Sequence, residues 1–270
     1  MSNKPNKQLI LETNQYHLWY TEPQLCKDEV LLKRYRELLT PKEREKQQRY
    51  IFEKDRHDAL ITRAFIRDVL SKYLGMQAES VEFNKGEQGK PEIINPVIPL
   101  RFNISHTKHL IACAVTLDND IGCDVEHIER NSDVLAIADR YFSKLETDEL
   151  FSLEDSAQRS RFFDYWTLKE SYIKAWGQGL AIPLSEFSFH INDSDNVRYN
   201  DNISLSFDEN RKDESEHWNS RIYYPSDELR VSVSVRSVSG ETISNEKFQV
   251  RYFKTTPLME PEELSEFKLG

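Results

Sequence analysis

Apolar positions along the chain alternate between the two-residue spacing of a strand and the three-to-four-residue spacing of a helix. Tyr16 to Tyr20 is an aromatic run that suits a first strand. Asp28 to Leu39 carries apolar residues at helical spacing, and Thr40-Pro-Lys-Glu43 opens a new helix with Thr at the N-cap, Pro at N1 and Glu at N3. From Asp55 to Leu74, Ile61, Phe65, Val69 and Tyr73 share one helical face, and Gly75 is placed to stop it. Strands are predicted at Val81–Phe83, Leu100–His106, Leu110–Leu117 and Ile121–Glu126; the Asp118-Asn-Asp120 turn predicts that the last two form a hairpin. Val134–Leu153 is helical with a fresh start at the capping box Ser143–Glu146, Phe187–His190 and Arg230–Arg236 read as strands, and the acidic stretch 193–216 reads as loops around short strands.

One helix breaks its own pattern. In Asp164–Trp176 the stripe Phe162, Trp166, Lys169, Ile173, Trp176 faces a core by its spacing, yet Lys169 interrupts four large apolar side chains. Glu170 and Lys174 stand one turn apart beside that stripe. An ordinary surface pair is the plain reading of this segment taken alone.

Composition narrows the setting. Thirty-eight per cent hydrophobic and 30% charged residues in 270 describe a chain able to build a sizeable core. Three cysteines without C-x-x-C spacing fit a reducing compartment. With no signal-like apolar run and no stretch long enough to span a bilayer, a cytoplasmic protein without membrane contact is expected. The net charge of −10 argues against nucleic acid as a partner, because duplex binding depends on neutralising phosphates. The helix after Thr40 is one of the few places with a surplus of cations.

Candidate chemistry lies in three further places. Asn84–Pro91 holds two glycines and two lysines, so its backbone could approach a ligand closely, although Gly-Lys-Pro also occurs in plain hairpins. Ser105 beside His106 suggests a nucleophilic serine, but the chain has no G-x-S-x-G elbow and neighbours on a strand face opposite ways. Asp124 and Glu126 fall on one strand face about 7 Å apart, a hard-oxygen pair suited to Mg²⁺.

Gly89-Lys-Pro91, Phe102–His106, Ile121–Glu126 and Trp166–Lys174 together resemble, in order, the blocks of the 4′-phosphopantetheinyl transferases of the larger, surfactin-synthetase-activating type; Asp124 and Glu170 are 46 positions apart (170 minus 124). The resemblance implies an α+β fold of two pseudo-symmetric halves, residues 15–119 and 120–255, each a small mostly antiparallel sheet packed with helices, with the active site at their interface and peripheral tails at 1–14 and 256–270. It implies a monomer that transfers the phosphopantetheine arm of coenzyme A to a serine of an apo carrier protein, acyl or peptidyl, releasing adenosine 3′,5′-bisphosphate. By matching position, Asp124, Glu126 and Glu170 would hold Mg²⁺ or Mn²⁺, and Glu170, or a water it holds, would act as base. Lys174 would pair with a phosphate, Lys169 would reach the phosphate or pantetheine side, His106 would contact a phosphate, Ser105 and Lys90 the nucleotide side, and Lys46 the 3′-phosphate. Glu43 stands where a second cation is usual, so Arg56 or Arg63 is expected to assist Lys46. Cys123 is expected to pack. Tyr141, Phe142 and Leu145 are expected to form part of a carrier-docking patch. A nuclease or phosphohydrolase using the Asp-x-Glu pair and Glu170 with two metals is one alternative; a non-catalytic module that binds carrier or coenzyme A is a second, against which the intact carboxylate trio argues.

Overall fold

Two sheets stack face to face, each covered on its outer side by helices, in a computed structural model that describes residues 8–86, 89–129, 131–177, 182–209, 211–243 and 248–269. The chain runs through strand β1 (Gln15–Thr21), helices α1 (Glu29–Leu38), α2 (Pro41–Gln48) and α3 (Glu53–Leu74), then strands β2 (Phe83–Lys85), β3 (Pro91–Ile93), β4 (Leu100–His106), β5 (Ile111–Leu117) and β6 (Asp120–His127). Helices α4 (Val134–Tyr141), α5 (Lys144–Ser152) and α6 (Asp155–Trp176) follow. The remaining strands are β7 (Phe187–Ile191), β8 (Tyr199–Asn200), β9 (Ile203–Phe207), β10 (Trp218–Ser226), β11 (Leu229–Arg236), β12 (Gln249–Lys254) and β13 (Glu262–Leu264). The architecture is the expected α+β class. No helix among the described residues is long and apolar enough to cross a membrane.

Local chemistry accounts for the helix boundaries. Thr40 and Glu43 form a reciprocal capping box at α2, Ser143 and Glu146 another at α5, and Gly75 and Gly177 close α3 and α6 in the left-handed conformation. The first sheet has the order β13-β12-β1-β5-β4 and the second β6-β11-β10-β8. Along β1, Tyr16, Leu18 and Tyr20 enter the core between the sheets, whereas Trp19 enters the core beneath α1 and α3. Strand β6 contributes Ile121, Cys123 and Val125 to the inter-sheet core, so Cys123 packs as expected.

Long-range pairing departs from expectation in three places. Strands β5 and β6 do not form a hairpin: β5 pairs with β1 and β4, while β6 pairs with β11. The Asp118 turn, at φ 59°, carries the chain from one sheet to the other. Strand β12 lies parallel to β1 in the first sheet, although its position in the chain put it in the second half. The described part of the C-terminal tail is built in: Phe267 is buried, the Tyr20 hydroxyl donates to the Lys268 carbonyl at 2.5 Å and that of Tyr35 to the Pro257 carbonyl at 2.7 Å. Of the leading tail, residues 1–7 lie outside the described region, as do Glu87 and Gln88 of the glycine-rich stretch and the Gln178–Gly179 continuation after α6.

Candidate active site

Gly122 determines how closely α6 approaches β6. A Cβ at this position would come within 1.9 Å of the Ser171 carbonyl oxygen and 2.4 Å of the Ala175 nitrogen, so helix backbone lies directly on strand backbone. The row Trp166, Glu170, Lys174 then runs along the exposed side of that contact. Trp166 Nε1 donates to Glu126 Oε1 at 3.1 Å, and Lys174 Nζ reaches Asp124 Oδ1 at 2.5 Å.

The two sheets meet at these residues. Edge strands β4 and β6 are joined by side chains: Asn103 Oδ1 accepts from the Cys123 amide at 2.9 Å and Ser105 Oγ from the Val125 amide at 3.3 Å. Ser105 also donates to Asp124 Oδ1 at 3.0 Å and accepts from Lys174 Nζ at 3.0 Å. Burial alone would favour neutral Lys174, but the Asp124 carboxylate outweighs it and lifts the lysine pKa. Glu170 is raised above its ordinary value by burial and by the nearby charge of Asp124.

Does this wall suit a divalent cation? Asp124 Oδ2 is buried and accepts no hydrogen bond, while Oδ1 is satisfied twice. A buried carboxylate oxygen without a donor, beside a second carboxyl whose ionisation is disfavoured by burial and by repulsion from Asp124, is a donor set that a hard cation would complete. Asp124, Glu126 and Glu170 thus fit the expected ion. Their oxygens are not all drawn within 4.8 Å of one another, as the ligand atoms of His127, Glu129 and Glu228, or of Glu214, Glu216 and His217, are among the described residues.

Next to His106 a cleft of about 420 Å³ opens between α2, α3 and the end of β4; Lys46, Arg63 and Lys108 line it. Desolvation and the Lys174 ammonium push the His106 imidazole below its ordinary pKa. Lys46, Arg63 and His106 thus line one cleft. Arg56 does not: its Nη1 donates to the carbonyls of Tyr50 and Ile51 at 2.8 and 2.9 Å, holding the α2–α3 connection, and it lines a separate groove with His57 and Leu60. Lys90 Nζ donates to the carbonyls of Ile121 and Lys174 at 3.1 and 2.9 Å, so its ammonium ties the Gly-Lys-Pro turn to the end of α6. Burial pushes its pKa down to about 8.

Lys169 departs furthest from expectation. It does not face the cleft: it is 0% exposed, and its Nζ donates to the carbonyls of Leu184 and Phe187 at 2.7 and 2.6 Å and pairs with Glu146 at 2.7 Å. The stripe that carries it is a core stripe, and the lysine is sealed in with a carboxylate of its own. Phe142 is likewise withdrawn from the expected docking patch, buried and stacked on Phe162, whereas Tyr141 and Leu145 are exposed. Asn103 and Lys108 were not anticipated. Asn103 alternates with Ser105 on one strand face, a signal present in the sequence; Lys108 carries none.

Comparison with known proteins identifies the family. Residues 120–234 match the model of the 4′-phosphopantetheinyl transferase superfamily, and residues 27–117 that of the 4′-phosphopantetheinyl transferase N-terminal domain. The chain is 34% identical over 175 residues to the 4′-phosphopantetheinyl transferase HetI of Nostoc sp., covering 64% of this chain and 73% of that one. It is 34% identical over 165 residues to Sfp of Bacillus subtilis, covering 61% and 71%. A solved holo-[acyl-carrier-protein] synthase of Thermotoga maritima is a distant structural match, with a TM-score of 0.33 at 19% identity over 43% of this chain and 62% of that one. By its sequence over both halves, the chain belongs to the 4′-phosphopantetheinyl transferase superfamily.

Proposed function

We propose that the chain transfers the 4′-phosphopantetheine arm of coenzyme A to a serine hydroxyl of an apo carrier protein, with Mg²⁺ held by Asp124, Glu126 and Glu170 and adenosine 3′,5′-bisphosphate as the leaving product. The observation that carries this reading is Asp124: one oxygen is held by Lys174 and Ser105 from opposite sides of the seam, and the other is buried without a donor. When bound, Mg²⁺ would offset charge on the diphosphate oxygens.

The chain's own groups divide the remaining work. Glu170, made more basic by burial and by Asp124, takes the proton of the attacking serine hydroxyl. Lys174 holds its ammonium at the seam, where the leaving phosphate gathers charge. His106 and the cations beyond it hold the nucleotide side, so that the diphosphate is presented to the serine.

The test is incubation of an apo carrier protein with coenzyme A and Mg²⁺, read by intact mass. The carrier should gain the mass of the arm and adenosine 3′,5′-bisphosphate should appear in equal amount. Glu170→Gln should lower kcat by at least about 100-fold, the usual scale for a positioned base. An unmodified carrier would refute the activity, and an undiminished kcat in the variant would refute the role of Glu170.

A further inference from the structure

Beneath α6 the second sheet carries rows of side chains whose register is set by β6, β11 and β10. One row reads Gly122, Ser234, Ser220 and the next Asp124, Ser232, Ile222. Alternate residues of a strand share a face, so both rows lie on the face that Gly122 presses against the helix backbone. In the first row every hydroxyl is bonded. Ser234 Oγ lies 2.8 Å from Ser171 Oγ of α6 and 2.8 Å from Ser220 Oγ, and Ser171 Oγ donates to the Leu168 carbonyl at 2.8 Å.

Ser232, in the next row, is the exception. It is 0% exposed, and its Oγ is buried without a hydrogen-bond partner among the described residues. Thr167, one turn before Ser171 on α6, gives its hydroxyl to the Phe163 carbonyl at 2.6 Å, and the buried Ile222 closes the row on the β10 side. A hydroxyl taken out of water and left unbonded is costly. Alanine would occupy the same place without that cost.

The polar neighbour of Ser232 across the sheet is Asp124. Directly opposed residues of an antiparallel pair project from the same face with Cβ atoms about 4.5–5.5 Å apart. Asp124 Oδ1 is taken up by Ser105 and Lys174, whereas Oδ2 is buried with no donor. A buried donor and a buried acceptor, both unbonded, thus stand in register on adjacent strands. A staggered turn about the Ser232 Cα–Cβ bond moves Oγ without moving either strand. A carboxylate oxygen has two lone pairs, so Oδ2 can accept from a hydroxyl on one side and hold a cation on the other.

We propose that Ser232 is a positioning residue: its hydroxyl donates to Asp124 Oδ2 and fixes the direction in which that oxygen faces the divalent cation. The proposal rests on the reading above that Asp124, Glu126 and Glu170 hold the ion, and it adds the group that orients the first of them. Ser105 and Lys174 anchor Oδ1 from the seam. Ser232 anchors the carboxylate from β11, so that both oxygens are gripped.

Mn²⁺ titrated into the protein, followed by loss of the free-ion electron paramagnetic resonance signal, decides it together with urea midpoints taken in EDTA. Ser232→Ala should weaken Mn²⁺ binding by about tenfold, the scale for a lost hydrogen bond to a ligating carboxylate. Its urea midpoint should stay level or rise, because the hydroxyl removed has no partner in the fold. Ser234→Ala is the control: breaking the Ser171–Ser234–Ser220 chain should lower the midpoint and leave Mn²⁺ affinity within about twofold of wild type. In the carrier assay Ser232→Ala should raise the Mg²⁺ concentration for half-maximal rate by about tenfold, with kcat at saturating Mg²⁺ within about threefold. Unchanged Mn²⁺ affinity in Ser232→Ala, an equal loss in both variants, or a lowered midpoint for Ser232→Ala overturns the proposal. Wild type that binds no Mn²⁺, or Asp124→Asn that binds it as tightly as wild type, overturns the metal reading on which the proposal stands.

Discussion

Lys169 and Lys174 lie five positions apart on α6 and have opposite surroundings. Lys174 reaches the seam between the halves, whereas Lys169 is sealed among Phe187, Phe142 and Glu146. Position 169 faces the core as its helical spacing predicts, and the lysine there balances a buried carboxylate. Its partner sits on α5, 23 positions earlier (169 minus 146), and nothing local in the sequence links the two. Lys169→Met should therefore act on stability. Glu146 would be left buried without its cation, a loss of about 3–5 kcal/mol, although its bonds to Ser143 and the Phe189 amide remain. Urea titration should show the loss while the KM for coenzyme A stays within about twofold of wild type. A raised KM in a variant of unchanged stability would return Lys169 to the cleft.

Among the elements, those whose cause is local were legible. The capping boxes at Thr40 and Ser143, the terminal Gly75 and the strand Leu100–His106 all follow from residues within a few positions of each other. The Asp118–Asp120 reversal was legible as a turn but not as a passage between sheets, because turn chemistry does not say which strand the returning segment will meet.

Strand β1 carries a less visible device. Trp19 Nε1 donates to the Tyr73 hydroxyl at 2.7 Å, His17 Nδ1 lies 2.7 Å from that hydroxyl, and His17 Nε2 lies 2.8 Å from Gln15 Oε1. The neutral imidazole that accepts from Tyr73 and donates to Gln15 satisfies all three groups. Burial, with help from Arg251, pushes its pKa down to about 3. Between about pH 6.5 and 3 the unfolded chain binds a proton here that the folded chain refuses, so stability contributed by His17 should fall as pH drops through that window. Denaturant midpoints at pH 7 and pH 4.5 should differ more in wild type than in His17→Gln. Equal slopes in the two proteins would remove His17 from the account.

At the scale of the whole molecule, the four-layer stack of helices, sheet, sheet and helices depends on pairings that no short window of sequence contains. Strand β12 finds β1 across more than 200 positions, Gln249 opposite Gln15, so the sequence suggested two successive halves where the chain interleaves them at its end. The segments of the candidate site were more legible than the topology. Asp124, Glu170, Lys174, Ser105 and His106 come from three segments, each recognisable by its own residues, and the seam draws them together. Lys90 and Arg56 were recognisable as cations, but which carbonyls they would satisfy depended on chain far from them or on loop geometry.

The side-chain seam has a consequence for the exchange of amide hydrogens with solvent. Within β6 the Cys123 and Val125 amides point away from β11 and toward β4, where each is held by one side-chain oxygen in place of a ladder carbonyl. Their protection therefore reports directly on whether the halves are closed. Asn103→Ala should speed deuterium uptake at Cys123 by at least about tenfold relative to its β11-paired neighbours, while Val125 keeps its acceptor in Ser105. Uptake at Cys123 that stays level with those neighbours would mean that something other than Asn103 closes the seam. In the wild-type enzyme, slower exchange at these two amides on adding coenzyme A would be a reading of domain closure taken at the strand that carries Asp124.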